Sequence, residues 1–187
     1  MDAFNAASDP LQIRSRQAQS GEAAGRDEIA GWVAQHWDAT YNLMHRLTMN
    51  GHDAEELTQE TFLRAMERRS SFKTGTNLRA WLLRIATNAF LDGQRRKKVT
   101  KIQPVTDEIP ESRPKLGQGL EDEELQVSVA AAIAELPATA RVVFLLRSQE
   151  DLSFREIAES IATTEETARW HMMQARKQLI AKLNGKL

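Results

Sequence analysis

Residues 153–176 carry the side chains best suited to binding another molecule, and the chemistry that they suit is recognition of DNA bases. The apolar pattern predicts two short helices, 153–161 and 164–183, joined by a two-residue turn, which is helix-turn-helix spacing. Small Ala158 on the first helix permits the close crossing that so short a turn requires. In this motif the second helix enters the DNA major groove, where Arg can bind guanine and Gln can bind adenine. On this segment alone, a helical hairpin inside any bundle is an equally good interpretation.

The outward face of the second helix mixes basic, amide and apolar side chains with two carboxylates. Glu165 and Glu166 in its first turn weigh against contact with phosphates. The other outward residues are Arg169, Trp170, Met173, Gln174, Arg176 and Lys177. Ser153, with Glu156 three residues later, predicts a capping box for the first helix, and Thr164 is a suitable N-cap for the second.

A second candidate surface lies on the segment 79–98, opposite its apolar stripe. Arg84, Asn88, Asp92 and Arg95 follow one another at spacings of four, four and three residues, so they share one face of a helix. The segment ends in the basic run 95–98. Such a run complements the helix dipole, but it also suits the tracking of phosphates beside an Asn that can hydrogen-bond a base edge.

A third candidate surface is acidic and lies on the preceding predicted helix. Its first turns carry Asp53, Glu55, Glu56, Gln59 and Glu60. These side chains either suit the helix dipole and solubility or form a face for a basic protein partner, and spacing alone does not separate the two. The stripe expected to be buried on this helix consists of Leu57, Thr61, Phe62, Ala65 and Met66.

The elements that position these surfaces are predicted to be helices, because five Pro and nine Gly leave long stretches free of helix breakers. Apolar residues at spacings of three and four predict a first helix from Asp27 that the pair 50–51 ends, Gly being suited to a left-handed cap. Asp53 is the expected N-cap of the second helix, with Glu56 in a capping-box position. Asn77 is the expected cap of the third helix. The predicted fold class is all-α, with two small helical domains.

The predicted domain boundaries follow shifts in composition. Residues 1–24 have few large apolar side chains and are expected to form a mobile tail. Residues 25–100 form the first domain, and 101–123, which hold three of the five prolines, form a flexible linker to the second domain at 124–187. The net charge of −1 hides segregation, with +3 over residues 25–100 (twelve basic, nine acidic) and −4 over 101–124 (three basic, seven acidic).

Several function classes are disfavoured by the sequence. No apolar run approaches the roughly 18 residues that span a bilayer, and residues 1–20 have no secretory apolar core, so we expect no membrane insertion and a cytoplasmic location. The absence of cysteine excludes a disulfide framework and a Cys-ligated zinc site. The four His make no metal-ligand pattern and no phosphate-cradling Gly loop occurs, so we expect no enzyme, no metal and no cofactor.

Two ordered motifs together resemble the sigma-70 family of bacterial RNA polymerase sigma factors. Residues 53–62 and 77–92, with their Arg-Arg-Lys-Lys tail, resemble the second conserved domain of these proteins, and residues 135–147 with the helix-turn-helix resemble the fourth. Two such domains without a third between them resemble the extracytoplasmic-function (ECF) group. The resemblance implies a dissociable subunit that binds core RNA polymerase and directs promoter recognition and transcription initiation.

By this resemblance, the acidic helix would dock on the clamp helices of the polymerase beta-prime subunit through Asp53, Glu56, Leu57, Gln59, Glu60 and Phe62. The loop 70–77 and the face bearing Asn88 would hold the non-template strand of the minus-ten element, with a base flipped out of the stack. The implied minus-ten contacts are Phe72, Lys73, Asn77, Arg84, Asn88, Arg95, Arg96 and Lys97. Phe72 either touches this strand or anchors its loop to the core.

The resemblance also implies minus-thirty-five contacts on the second helix of the helix-turn-helix, namely Thr164, Thr167, Arg169, Trp170, Met173, Gln174 and Arg176. Trp170 and Gln174 differ from the small residue and the basic residue expected there. The implied partners are promoter DNA and the beta-prime clamp helices and beta flap of core polymerase. Whether an anti-sigma factor also binds is left open. The alternative function is a helix-turn-helix transcription regulator that acts without core polymerase.

Overall fold

The computed structural model describes residues 10–73, 75–100 and 120–184. Within these ranges the chain forms seven α-helices, one short 3-10 helix and no strand, which confirms the predicted all-α class. None of the described helices is both long enough and apolar enough to span a bilayer. The helices are α1 Pro10–Thr48, α2 Gly51–Glu67, α3 Leu78–Thr100, α4 Leu120–Ala134, α5 Ala138–Ser148, α6 Phe154–Ser160 and α7 Glu165–Leu183, and the 3-10 helix is Arg69–Ser71.

The main hydrophobic core joins both predicted domains. The chain divides into a compact unit that ends at Trp37 and a larger one that begins at Asp38, and the packing described below lies within the larger unit. Its core combines apolar side chains of α1, α2 and α3 with those of α4 to α7. Fully buried members include Leu43, Met44, Leu47, Leu83 and Phe90 from the first group and Leu136, Val143, Leu145 and Ile157 from the second. Removal of this apolar surface from water is the main term that stabilises the fold.

The junction between α1 and α2 differs from the prediction. The N-cap of α2 is Asn50, whose side-chain oxygen accepts a hydrogen bond from the backbone N–H of Asp53 at 3.1 Å. Asp53 therefore lies inside the first turn rather than at the cap. The left-handed residue that ends α1 is Met49, with φ of 57°, and Gly51 is already helical. Asn and Asp are both strong caps, so the local sequence of this short stretch fits either register.

The predicted caps of the other helices are confirmed. The side chain of Asn77 accepts a hydrogen bond from the N–H of Ala80 at 3.1 Å at the start of α3. Ser153 and Glu156 form the reciprocal capping box of α6. Thr164 caps α7 by accepting from the N–H of Thr167.

Two boundary predictions differ from the structure. The backbone from Pro10 to residue 24 belongs to α1, so the predicted start of the first domain at residue 25 lies inside a helix. Ala, Gln and Arg are good helix formers, and backbone propensity extends a helix without a large apolar face. Residues 1–9 lie outside the described residues, as do residues 101–119 of the predicted linker. The last linker residues, 120–123, are helical and open α4.

The capping box of α6 predicts a pH-dependent contribution to stability. The hydroxyl and backbone N–H of Ser153 both donate to the Glu156 carboxylate, and these bonds lower the pKa of Glu156 below its ordinary value of 4.5. A carboxylate with a lowered folded-state pKa stabilises the protein fully above its ordinary pKa and loses that contribution as the pH falls through the folded-state value. We expect Glu156→Gln to lower the melting temperature at pH 7 and the gap from wild type to narrow below pH 4.5.

The matched control for this measurement is Glu159→Gln, which removes an exposed carboxylate of the same helix that lies outside the capping box. Thermal scans of the three proteins across the acidic range give the comparison. A wild-type-to-Glu156→Gln gap that stays constant or widens on acidification would contradict the assigned role of the capping box.

Candidate nucleic-acid interface

Helix α7 presents two distinct faces. Ala168, Met172, Ala175 and Leu179 are buried on the inner one. On the outer face Trp170 and Met173 are 52% and 56% exposed, which is unusual for side chains of this size. Arg169 and Arg176 are exposed beside them, and Gln174 is half-buried. The helix therefore offers guanidinium, amide and apolar groups together, as a major-groove helix requires.

The amino terminus of α7 is held by a pair of hydroxyls. The side chain of Thr164 accepts from the N–H of Thr167 at 3.1 Å, and their hydroxyl oxygens lie 2.9 Å apart. Both side chains are therefore engaged in the cap before any ligand binds. The unpaired backbone N–H groups of the first turn favour an anion, whereas Glu165 and Glu166 in the same turn oppose one.

Arg169 is positioned by an aromatic ring from α6. Its guanidinium carbon lies 4.6 Å from the ring centroid of Phe154, and its Nη2 lies 3.4 Å from a carboxylate oxygen of Glu165. Arg147 lies over the same ring at 5.7 Å. Cation–π contact restricts the rotamers of Arg169 and so lowers the entropy lost when it binds a base or phosphate. Phe154 is a support that the sequence pattern did not indicate.

His171 contributes no charge to this surface at neutral pH. It is half-buried on α7, and burial lowers the pKa of its imidazole below the ordinary value. Its ring packs edge-on against Trp170, with 4.9 Å between the centroids. This contact orients the exposed indole.

Helix α2 carries the predicted acidic face, and its carboxylates are paired in the free chain. Glu60 accepts from Arg64 at 2.6 Å, and Glu56 lies 3.4 Å from His52. Gln59 donates to Glu55 at 3.3 Å. These are exposed or half-exposed pairs along one helix, so each contributes little to stability and can be exchanged for a partner's charges.

The last turns of α2 expose apolar side chains, which corrects the predicted stripe. Met66, expected to be buried, is 48% exposed, and Leu63 is 57% exposed. Leu63 lies three and four residues after Glu60 and Gln59, so these side chains form one surface. Phe62 is buried and Leu57 packs partly buried against the core, so both support the face from beneath. The sequence indicated the acidic first turns of this face and missed the exposed apolar side chains of its last turns.

The loop before α3 is shaped by a tight turn. The carbonyl of Lys73 accepts from the N–H of Thr76 at 3.1 Å and from its hydroxyl at 2.7 Å, and Gly75 supplies the positive φ of 89°. Phe72 packs on the buried Trp81, with 5.4 Å between the ring centroids. The ring of Phe72 therefore anchors the loop to the core, one of the two roles that the sequence left open.

The structure brings together four of the predicted minus-ten residues and separates the other basic ones from them. Lys73, Asn77 and Arg84 line a cleft of about 480 Å³ whose opposite wall belongs to α6. Asn88 donates from Nδ2 to the backbone carbonyl of Ser160, another residue of this cleft, at 2.9 Å. The basic end of α3 lies further along the helix, beyond these residues.

The basic end of α3 is itself engaged in ion pairs. Arg95 pairs with Asp92 at 2.9 Å. Lys97 lies 3.4 Å from a carboxylate oxygen of Asp53 on α2. A residue expected to bind DNA and a residue expected to bind polymerase are thus neighbours in the folded chain.

In the described part of the chain, no group of three His, Asp or Glu side chains could hold a metal ion.

Comparison with known proteins identifies the family. The Sigma-70 region 2 family matches residues 32–100, and the Sigma-70, region 4 family matches residues 126–179. The ECF RNA polymerase sigma factor SigE of Mycolicibacterium smegmatis is 35% identical over 86% of this chain and 63% of its own length. The ECF RNA polymerase sigma factor EcfG of Rhodopseudomonas palustris is 32% identical over 73% of this chain and 75% of its own length. The present chain thus spans somewhat under two thirds of the mycobacterial relative.

A solved structure agrees in fold. The sigma factor RpoE from Bartonella quintana, crystallised in complex with the anti-sigma factor NepR, matches with a TM-score of 0.67 at 20% identity, over 84% of this chain and 97% of that one. In this chain the region 2 match precedes the region 4 match. The chain belongs to the ECF group of the sigma-70 family of RNA polymerase sigma factors.

Proposed function

We propose that this chain binds bacterial core RNA polymerase and directs it to promoters of a dedicated set of genes. The observation that carries the proposal is the presence of sigma regions 2 and 4 in one chain, each with an exposed surface of suitable chemistry. The protein then acts in the cytoplasm as an initiation factor with no catalytic step of its own. A regulator that acts without polymerase is not favoured, because it gives the region 2 match no role.

The acidic face of α2 supports docking on a basic protein surface. Asp53, Glu56, Gln59 and Glu60 supply charged and amide groups, and Leu63 and Met66 in the last turns of the helix supply apolar side chains whose burial adds affinity. We propose that this face binds the beta-prime clamp helices, and that region 4 contacts the beta flap. The Bartonella relative was crystallised with an anti-sigma factor, and we propose that a partner of that class also binds this chain.

The two candidate DNA-binding surfaces suit different parts of a promoter. Arg84 and Asn88 on α3, with the loop around Lys73, suit an unpaired strand, since a flipped base needs hydrogen bonds and stacking to offset a few kcal/mol of unstacking. The outer face of α7 suits a duplex major groove. We propose that α3 binds the minus-ten element and α7 the minus-thirty-five element.

Glu60→Lys should weaken binding to core polymerase by about tenfold, or about 1.4 kcal/mol, because it places a cation opposite a basic surface. Leu63→Ser should weaken binding to a similar extent through lost apolar burial. Affinity can be measured by fluorescence titration of labelled protein with core enzyme. Asp38→Lys is the matched control, since Asp38 is exposed on a different helix, α1. Equal affinities for Glu60→Lys, Leu63→Ser and the control would remove α2 from the interface.

Asn88→Ala should impair promoter opening more than closed-complex formation, because the amide would bind a base that is accessible only after melting. Permanganate footprints of the holoenzyme report the opening, and gel shifts on duplex promoter report closed binding. Gln94→Ala, which removes another half-buried amide from the same helix, is the control. A wild-type footprint from the Asn88→Ala holoenzyme would contradict the assignment.

Arg169→Ala should cost about 1–3 kcal/mol at one base pair of the minus-thirty-five element if its guanidinium binds guanine in bidentate geometry. The measurement is holoenzyme affinity for a panel of single-base promoter variants. Glu165→Gln serves as the companion variant, because it removes the carboxylate beside Arg169 and should change affinity for all sequences alike. If Arg169→Ala lowers the affinity equally for every promoter variant in the panel, Arg169 contacts a phosphate rather than a base.

A further inference from the structure

We propose that Trp170, with Met173 beside it, forms an apolar patch on α7 that recognises a thymine of the minus-thirty-five element by contact with its 5-methyl group. The inference rests on the proposed function, because it names the base chemistry that the same helix recognises. Position 170 is one of the two at which this chain differs from the residue types expected on the recognition helix. The patch therefore predicts a base preference that is particular to this chain.

Trp170 lies on the outermost line of α7. The residues on the inner face of this helix are Ala168, Met172, Ala175 and Leu179. At about 100° per residue, Trp170 lies about 180° from the middle of that buried stripe. It therefore projects directly away from the core, and Met173 flanks it three residues later. In a helix-turn-helix the amino-terminal residues of the second helix contact base edges, and Trp170 lies in the second turn of α7.

The apolar surface of the patch determines which base it favours. Trp170 and Met173 are each more than half exposed, and burial of apolar surface is favourable in proportion to the area removed from water. The patch therefore gains affinity from a ligand that presents apolar groups. In the major groove, thymine presents a C5-methyl group, whereas the other three bases are distinguished by their hydrogen-bond donors and acceptors. Contact with the patch thus favours thymine.

The cations around the patch favour DNA over a protein as its ligand. Arg169 and Arg176 lie on one side of the patch, and both are exposed. Lys177, also exposed, lies two turns after Trp170 on the same line of the helix. Glu166, about one turn before Trp170, opposes phosphates but can accept a hydrogen bond from cytosine at a base edge. A duplex, whose methyl groups lie between two rows of phosphates, matches both the apolar surface and the flanking cations.

The side chains of this face are held in place before DNA binds. The ring of Trp170 packs edge-on against half-buried His171, with 4.9 Å between the centroids. Arg169 lies against the ring of Phe154, with its guanidinium carbon 4.6 Å from the centroid. Side chains that are already ordered lose less conformational entropy on binding. A larger share of the apolar burial therefore contributes to the affinity for a thymine-containing site.

The methyl contact can be tested with holoenzyme formed from the full chain and bacterial core polymerase. The probe is a pool of promoter duplexes with a randomised minus-thirty-five segment. Sequences bound by the wild-type holoenzyme should carry thymine at one or more fixed positions of that segment. Trp170→Ser should lose the preference at one of these positions, because serine presents little apolar surface. Trp170→Phe, which keeps an aromatic ring, should retain it.

Deoxyuridine in place of that thymine removes the methyl group and leaves the hydrogen bonds of the base pair unchanged. Wild-type holoenzyme should bind the deoxyuridine duplex about fourfold less tightly, which converts to about 0.8 kcal/mol, the value for one buried methyl-sized group. With Trp170→Ser the two duplexes should bind equally, and with Met173→Ser the loss should be smaller than in wild type. Any change in duplex shape caused by deoxyuridine is common to all these proteins, so the differences among them report the patch.

The matched control is Ile180→Ser. Ile180 is another exposed apolar residue of α7, about 15 Å beyond Trp170 along the helix axis, so its replacement should leave the fourfold loss unchanged. Circular dichroism verifies that each variant retains its helix content. Equal losses in wild type and Trp170→Ser would overturn the methyl contact, as would a wild-type holoenzyme that selects no thymine in this segment.

Three outcomes separate the methyl contact from the proposed function and from a protein ligand. A holoenzyme that initiates at its promoters yet binds thymine and deoxyuridine duplexes equally would overturn the methyl contact and leave the proposed function standing. Weaker binding of Trp170→Ser to core polymerase, with unchanged selection of thymine, would assign the patch to a protein surface and overturn the methyl contact. Failure of the wild-type holoenzyme to select any sequence or to initiate would overturn the proposed function and the methyl contact together.

Discussion

Helix ends buried in a shared core constrain the rest of this structure. The last carbonyls of a helix have no partners within it, and at the ends of α1, α4 and α6 a side chain from elsewhere in the chain supplies one to at least one carbonyl. Arg141 satisfies those of Leu47, Ala134 and Leu136, and Asn88 satisfies that of Ser160. Because these donors come from different helices, the contacts fix how α1, α3, α4, α5 and α6 pack around one apolar core.

Helix α3 contributes both to the hydrophobic core and to the boundary with α6. The inner stripe with Leu83 and Phe90 belongs to the core, while Arg84 and Asn88 lie at the boundary with α6. A partly buried polar side chain at such a boundary is stable only when it has a hydrogen-bond partner. For Asn88 that partner is the backbone carbonyl of Ser160. The hydrogen bond from Asn88 to the carbonyl of Ser160 therefore joins α3 to the end of α6.

The charged side chains of the candidate surfaces form ion pairs with one another. In the free chain Glu60 pairs with Arg64, Lys97 with Asp53 and Arg169 with Glu165, each at a site proposed to bind polymerase or DNA. Exposed pairs of this kind contribute at most about 1 kcal/mol, so exchange for a partner's charges costs little. Exposed apolar side chains, namely Leu63 and Met66 on α2 and Trp170 and Met173 on α7, can add the apolar burial that such exchanges alone do not give.

The sequence by itself determined the helices, the helix-turn-helix and most of its caps, since these depend on spacings of three and four residues and on side chains within one turn of the backbone they bind. The capping box of Ser153 and the N-cap Thr164 are local in this sense and were predicted correctly. Only the tertiary structure decided that Met66 faces outward and that Asn50, not Asp53, caps α2, because each sequence pattern fitted two registers. The bond from Asn88 to Ser160, 72 residues away, is not encoded in any local pattern, and it exists because the two regions bury their apolar faces against each other.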